Sequence, residues 1–386
     1  MSKNLLFIPG PVTVAETVLA ATAQPMVDHR GPEFRALLEK VASHMKPIFG
    51  TTTAEVMVLG GSGTGGLEAA VGSMFGPGDR ILACPIGVFG QRFIAIARAF
   101  GIEVDVLETA WGSTVDPDAL RAKVAEAKYD GVLLTHNETS TGVQNPMAPL
   151  AHALRDFDGF VVVDSVSGLG ASDFRMDEWR FDVVVTASQK ALSVPPGVAL
   201  VAVAPRAWTH MEQRKGPVFY FDLRKAREFA KLGQTPWTPP VSIVYGLDVA
   251  LDEYEQAGAE AAYERHDRYA RAIRAAAAAM GLKLFSSEGG HSPTVVAIEM
   301  PEGIDSDKVR KSMREDRGVV VGGGQKELKG KIIRIGTMGD LTQTDILGAL
   351  GAFEIGMLEA GAKVQVGVGV QAALKVFLSS GKTAAV

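Results

Sequence analysis

Between residues 56 and 203, short and almost wholly apolar runs alternate with helical stretches, and nothing else in the chain constrains its fold as strongly. The runs fall at 56–59, 80–84, 102–107, 132–135, 160–164, 181–186 and 198–203. Between them lie a glycine-rich loop with a helix starting near Gly65, a helical stretch at 89–100, and a helix opened by Asp116-Pro117 that ends near Ala127. Proline suits that first turn because its missing N–H has no partner there anyway. A strand apolar on both faces must be covered on both faces, so the pattern predicts a mostly parallel sheet flanked by helices. The expectation is an α/β domain.

After about residue 240 the texture changes. Alanine, arginine and glutamate dominate 253–280, which predicts one long helix. Strands are expected at 295–299, 318–321 and 331–335, with helices near 305–314 and from Thr344. This describes a smaller α+β unit, joined through the proline-rich stretch 234–240 and ending in a final helix.

Composition excludes several classes of partner. The 386 residues are enough for two domains, with 47% hydrophobic and 22% charged residues. A net charge of -5 gives no footprint for nucleic acid or for an anionic membrane. The single cysteine, Cys84, forms no internal disulfide and no multi-cysteine metal site, and the 7 histidines are scattered without metal-ligand spacing. The apolar run at 5–8 is stopped by Pro9-Gly10-Pro11, too short for a signal core or a membrane span. A cytoplasmic protein acting on small molecules is expected, with no metal.

Three features could carry chemistry. Gly60-Gly61-Ser62-Gly63-Thr64-Gly65-Gly66 lies between a strand and a helix, where free N–H groups favour a phosphate. Its Gly61-x-Gly63-x-x-Gly66 spacing matches a dinucleotide fingerprint, but the next strand ends at Ala83-Cys84-Pro85 without the acidic residue a nicotinamide site uses. A plain tight turn also fits. Asp164 ends an apolar strand at the sheet edge, where it could bind a metal, cap a helix or pair with a cation. Lys190, in Thr186-Ala187-Ser188-Gln189-Lys190-Ala191-Leu192, follows another strand at that edge. Desolvation there would free its amine to act as a nucleophile. A phosphate cradle, an edge carboxylate and an edge lysine together are what pyridoxal 5'-phosphate requires.

The chain resembles the class V, fold type I aminotransferases, particularly their alanine/serine–glyoxylate and serine–pyruvate group. Asp164-Ser165-Val166-Ser167-Gly168-Leu169-Gly170 and Ser188-Gln189-Lys190-Ala191-Leu192 look like its cofactor motifs. Pro9-Gly10-Pro11, His29-Arg30-Gly31-Pro32-Glu33-Phe34 and Gly90-Gln91-Arg92 match as well. The resemblance implies a large pyridoxal-phosphate domain at 16–255 with a mostly parallel seven-stranded sheet. It further implies a small domain at 256–386, and an N-terminal segment, 1–15, reaching toward the active site. Lys190 would hold the cofactor covalently and shuttle a proton, while Asp164 would pair with the pyridine nitrogen. Val166 and Phe89 would pack on the two ring faces. Ser62, Gly63, Thr64 and Gln189 would hold the phosphate, and Thr139 the phenolic oxygen. Arg334, a charge inside the apolar strand Ile332-Ile333-Arg334-Ile335-Gly336, would clamp the substrate α-carboxylate, with Gly10 beside the substrate. An internal salt bridge is the other reading of Arg334. Thr238, in Thr235-Pro236-Trp237-Thr238-Pro239-Pro240, would reach the phosphate of the other subunit of a homodimer.

The implied reaction moves an amino group from serine or alanine to glyoxylate or pyruvate. The same scaffold also serves donors such as aspartate, ureidoglycine and aminophosphonates. A cysteine-dependent lyase would need a cysteine at 319–331, which has none. An NAD-dependent oxidoreductase or a silent scaffold are the remaining readings.

Overall fold

The computed structural model describes residues 4–214 and 216–380, so the outermost parts of the two terminal segments, 1–3 and 381–386, lie outside the described residues. The chain opens with β1 (Leu5–Phe7), α1 (Glu16–Thr22) and α2 (Pro32–Phe49). It continues through β2 (Glu55–Gly60), α3 (Gly63–Met74), β3 (Arg80–Cys84), α4 (Val88–Ala99) and β4 (Glu103–Val106). Next come α5 (Pro117–Glu126), β5 (Gly131–Thr135), a short hairpin of β6 (Asn137–Glu138) and β7 (Val143–Gln144), and α6 (Met147–Ala153). Then follow β8 (Phe160–Asp164), β9 (Val183–Ala187), β10 (Val198–Val203), α7 (Pro205–Glu212) and α8 (Leu223–Ala230).

Seven of these strands form one sheet in the order β2-β10-β9-β8-β5-β3-β4. Five neighbours, from β9 to β4, run parallel, while β10 is antiparallel to both β9 and β2. The apolar runs are continuous because each strand buries both faces. Val132 and Leu134 of β5 join the core under α2, whereas Leu133 joins the core under α3 and α4. The chain steps from β3 out to β4, then returns to lay β5 on the other side of β3. A crevice opens beyond the carboxyl ends of the strands at such a reversal.

The second half contains α9 (Val241–Ala257), α10 (Ala259–Ala279), β11 (Val295–Glu299), α11 (Ser306–Arg317), β12 (Val319–Gly323), β13 (Ile332–Gly336), α12 (Gln343–Glu359) and α13 (Val368–Ser380). The single long helix expected at 253–280 is instead two. Gly258, at φ +84, ends α9 and lets the chain turn before α10. Composition missed this because one glycine among many helix formers reads as a tolerated interior residue. The break has a packing purpose: α9 lies on α1 and α2, whereas α10 lies on α13.

Four strands make a separate sheet, β1-β12-β13-β11, with β1 parallel to β12 and the other neighbours antiparallel. Its core holds Phe7, Val296, Ile298, Val309, Met313, Ile333, Ile335 and Phe353. The N-terminal strand therefore belongs to the sheet of the C-terminal half. The loop after β1 then carries Pro9-Gly10-Pro11 back across the edge of the large sheet. No helix among the described residues is long and apolar enough to cross a membrane.

Candidate active site

Register brings the chemistry to one edge. Thr135 and Asp164, at the carboxyl ends of β5 and β8, lie side by side with Val185 in the middle of β9. Beyond β9 the chain makes a tight turn, with the Ser193 N–H donating to Lys190 O at 2.8 Å and Ser188 Oγ donating to Pro195 O at 2.8 Å. This turn presents Lys190 to the crevice with only 9% of its surface exposed. Its ammonium donates to the carbonyl of Pro9. Burial lowers the lysine pKa to about 8, with the Arg334 and Arg92 charges adding to the fall and Asp164 and Glu138 opposing it. About a tenth of the amine is then neutral at pH 7, far more than in an ordinary lysine, as a nucleophilic amine requires.

Asp164 is buried, and its Oδ1 accepts the Val166 N–H at 2.9 Å. One oxygen thus closes a local turn; Oδ2 has no protein partner among the described residues. Burial and the nearby Glu138 raise its pKa to about 7, against the pull of Val166, Lys190 and Arg92. A carboxyl so placed becomes a firm anion only when a cation comes to it.

Ser62 caps α3, its Oγ accepting the Gly65 N–H at 3.4 Å, so the helix begins at Gly63 rather than Gly65. A Cβ on Gly63 would lie 2.9 Å from both Cγ atoms of Val166, and one on Gly66 would lie 2.7 Å from Val185 Cγ1. The glycines let the helix start press against the sheet. Thr64 Oγ1 accepts from Arg92 Nη1 at 3.0 Å, and the Arg92 guanidinium lies 4.6 Å from the centre of the Phe89 ring. Gln189 keeps a buried Oε1 without a protein partner.

Arg334 comes from the small sheet. Ile333 and Ile335 point into that sheet's core, so strand alternation turns Arg334 to the opposite face. Its Nε donates to Gly323 O at 2.9 Å and its Nη1 to Thr139 O at 2.8 Å. Among the described residues no carboxylate pairs with it, so the internal salt bridge is not formed there. Burial lowers its pKa to about 10, and it remains charged at neutral pH. Arg334, Lys190, Gly10, Phe89 and Thr139 line one cavity of about 460 Å³. Gly10 is obligatory there: at φ +102, its Cβ would fall 2.8 Å from Lys190 Nζ.

Thr238 stands apart from that cavity within one chain. It is exposed, beside Tyr220, Phe221 and Trp237. Thr141-Gly142 forms the turn between β6 and β7, with the Gly142 N–H donating to Glu138 O at 3.0 Å. Cys84 is buried, and its thiol is pushed up to about 12, so it is not a reactive group.

One site residue had no role in the sequence reading. Glu138 is fully buried, and its carboxylate accepts from the N–H groups of Phe89, Gly90 and Ser140 and from Ser140 Oγ. It fastens the start of α4, and therefore Phe89, to the loop that carries Thr139. A carboxylate three residues beyond an apolar strand was visible in the sequence, but two of its donors, the N–H groups of Phe89 and Gly90, lie 49 and 48 residues away.

A lysine, a carboxylate and a glycine-started helix around one crevice define a protein that holds pyridoxal phosphate and works on amino acids. Comparisons with known proteins make the class definite. Residues 14–346 match the aminotransferase class-V family model, and the chain belongs to that family. It is 37% identical to the L-aspartate–glyoxylate aminotransferase of Paracoccus denitrificans over 379 residues, 96% of each chain. It is 35% identical to the serine–glyoxylate aminotransferase of Methylorubrum extorquens, over 96% of this chain and 95% of that one. Its fold matches the pyridoxamine–pyruvate aminotransferase of Mesorhizobium loti with a TM-score of 0.93 and 30% identity, covering 98% of both chains. The protein is a pyridoxal-phosphate-dependent aminotransferase of the α/β fold type I class. That membership sets aside the nicotinamide reading, and the stretch 319–331 holds no cysteine for the lyase reading.

The residues fit the cofactor. Lys190 offers a buried amine, Asp164 a carboxylate oxygen without a protein donor, and Gly63 a helix start that any Cβ would push away from Val166.

Proposed function

We propose that the protein transfers the amino group of a small L-amino acid, serine or alanine, to glyoxylate or pyruvate in two half-reactions. The observation that carries this reading is that Arg334 lines the same cavity as Lys190, with its Nη2 not engaged by any described residue. A planar guanidinium held by two backbone carbonyls is set to receive a carboxylate, which amino acids and 2-oxo acids share. The relatives named above act with glyoxylate or pyruvate, which supports a short acceptor.

Pyridoxal phosphate, when bound, supplies the electron sink that makes a substrate Cα–H acidic. The protein supplies the rest. Lys190 would hold the cofactor through its buried Nζ, and the same amine, when free, would serve as the base that holds and moves the substrate Cα proton. Its lowered pKa suits a base working near neutral pH. Asp164 would pair with the cofactor's pyridine nitrogen and favour its protonated form, and Val166 and Phe89 would pack against its ring. Ser62, Gly63, Thr64 and Gln189 bind the phosphate at the positive end of α3. Thr139 orients the phenolic oxygen, Arg334 the substrate carboxylate, and Gly10 leaves the space in which Lys190 moves. Thr238 completes the phosphate site of a partner subunit, so the working unit is a homodimer. The setting is the cytoplasm.

The test is the visible absorbance of the purified protein. A lysine-imine band that is lost on adding L-alanine or L-serine and returns with glyoxylate or pyruvate supports the reading. A band that ignores both amino acids moves the donor elsewhere.

A further inference from the structure

The cavity that holds Lys190 and Arg334 is lined by two more arginines, Arg310 and Arg314. They lie four residues apart on α11, so they leave the helix on the same face. Neither belongs to the constellation assigned above. The end of β12 and the residue after it, Gly322-Gly323-Gly324, form the wall between α11 and Arg334 and carry no side chains. Gly323 is the key position. A Cβ there would fall 2.6 Å from Arg310 Nη1, so only glycine lets that guanidinium lie across the strand. The carbonyl of the same residue accepts from Arg334 Nε at 2.9 Å. Two guanidinium groups therefore meet at one glycine.

Little in the protein neutralises this charge. Arg310 Nη1 reaches Asp307 at 2.8 Å, but Asp307 is 63% exposed, and a pair so open to water is weakly held. Arg314 makes no ion pair among the described residues. The charge of Arg310 acts against that of Arg334, as like charges sharing a cavity must. A substrate α-carboxylate on Arg334 satisfies one of the three arginines. Arg314 lines the same space without an ion pair among the described residues, and Arg310 lines it held by the exposed Asp307 and, through its Nε, by Val321 O at 3.4 Å.

We propose that Arg310 and Arg314 form a second anion subsite, through which this cavity takes amino donors with an anionic side chain as well as neutral ones. The inference rests on the reading of Arg334 as the α-carboxylate clamp. The reaction stays a transamination: the donor's C–N bond becomes a C=O bond, and the acceptor's C=O becomes a C–N bond. The product is a 2-oxo acid with a second anionic group. Arginine forks suit a carboxylate or a phosphonate equally in their geometry, so the side-chain chemistry is an anion of either kind.

Calorimetric titration of the holoenzyme with amine-free ligands tests this apart from turnover. Succinate and butyrate have the same number of carbons but two and one carboxylates. A working subsite makes succinate bind at least about tenfold more tightly than butyrate, and R310Q/R314Q moves that ratio toward one. A wild-type ratio near one, or a ratio kept in the double variant, overturns the proposal. R314Q alone, at an exposed position, gives the same direction if the double variant does not fold. Titration with 3-phosphonopropionate separates the two kinds of anion, since tighter binding than succinate assigns the subsite to phosphonate and weaker binding to carboxylate. If the two monitored acids bind alike while L-alanine still removes the absorbance band, the subsite fails and the aminotransferase reading of serine and alanine stands. If L-alanine, L-serine and L-aspartate all leave the band unchanged, the underlying reading fails and takes the subsite with it.

Discussion

Lys190 and Asp164 are displaced from their ordinary titration ranges in opposite directions by the same cause, removal from water. This has a signed consequence for the cofactor-free protein. Asp164 goes from 3.8 to about 7 on folding, so between those values the native state holds more protons than the unfolded chain. Stability attributable to Asp164 is therefore greatest at low pH and falls as pH rises through that window, at up to ~1.4 kcal/mol per pH unit. Lys190 goes from 10.5 to about 8, so its contribution rises with pH between those values. Urea unfolding of the cofactor-free wild type and D164N from pH 4 to 7 should show a stability difference that shrinks for the wild type as pH increases; parallel curves count against a buried, proton-holding Asp164. In the holoenzyme, Lys190→Ala should lower turnover by at least ~10³-fold, since it removes the nucleophile and the proton carrier together. Circular dichroism should remain native. Arg334→Ala should raise the KM for the amino donor about 10- to 100-fold, in line with a lost charge-assisted pair, and an unchanged KM speaks against the clamp.

At the scale of elements, the site depends on two helix starts. The first residue of α3 is pressed onto Val166, so Gly63→Ala must move either the helix or the Val166 side chain. Phosphate affinity should fall in G63A and recover in part when Val166 is also cut to alanine, because the clash is with the two Cγ atoms. A titration with pyridoxal phosphate followed by fluorescence reads both variants; no recovery would place the fault in the backbone instead. The start of α4 is tied down by Glu138, which accepts four hydrogen bonds in a fully buried setting. Glu138→Gln turns one acceptor oxygen toward those donors as an NH₂ group. A loss of about 1–3 kcal/mol in unfolding free energy is expected, the usual cost of leaving buried donors without acceptors.

At the scale of the molecule, the active cavity lies where the large sheet, the small sheet and the segment after β1 meet. Lys190 and Phe89 come from the first, Arg334 and α11 from the second, and Gly10 from the third. Thr238 has no part in that cavity within one chain, and its proposed place is in the site of a partner subunit. Sedimentation should therefore give a dimer, and Thr238→Ala should weaken pyridoxal phosphate binding several-fold without altering the half-reaction order. A monomer retaining full cofactor affinity would remove that role.

The sequence by itself determined the class of the large sheet, because runs such as 132–134 and 198–203 are apolar at every position and, alternating with helical stretches, fit strands buried on both faces. It determined the cofactor chemistry too, since a lysine, an aspartate and a glycine loop each followed a separate strand. Most strand positions were legible to within a residue or two. The helix at 253–280 was not, because a lone glycine reads as tolerated inside a helix, while here Gly258 separates α9 on α1 and α2 from α10 on α13. Tertiary structure alone decided the anchoring by Glu138 and the approach of Arg310 and Arg314 to Arg334. Each of those depends on contacts between segments far apart in sequence, and no local period or spacing records which distant backbone a buried charge will meet.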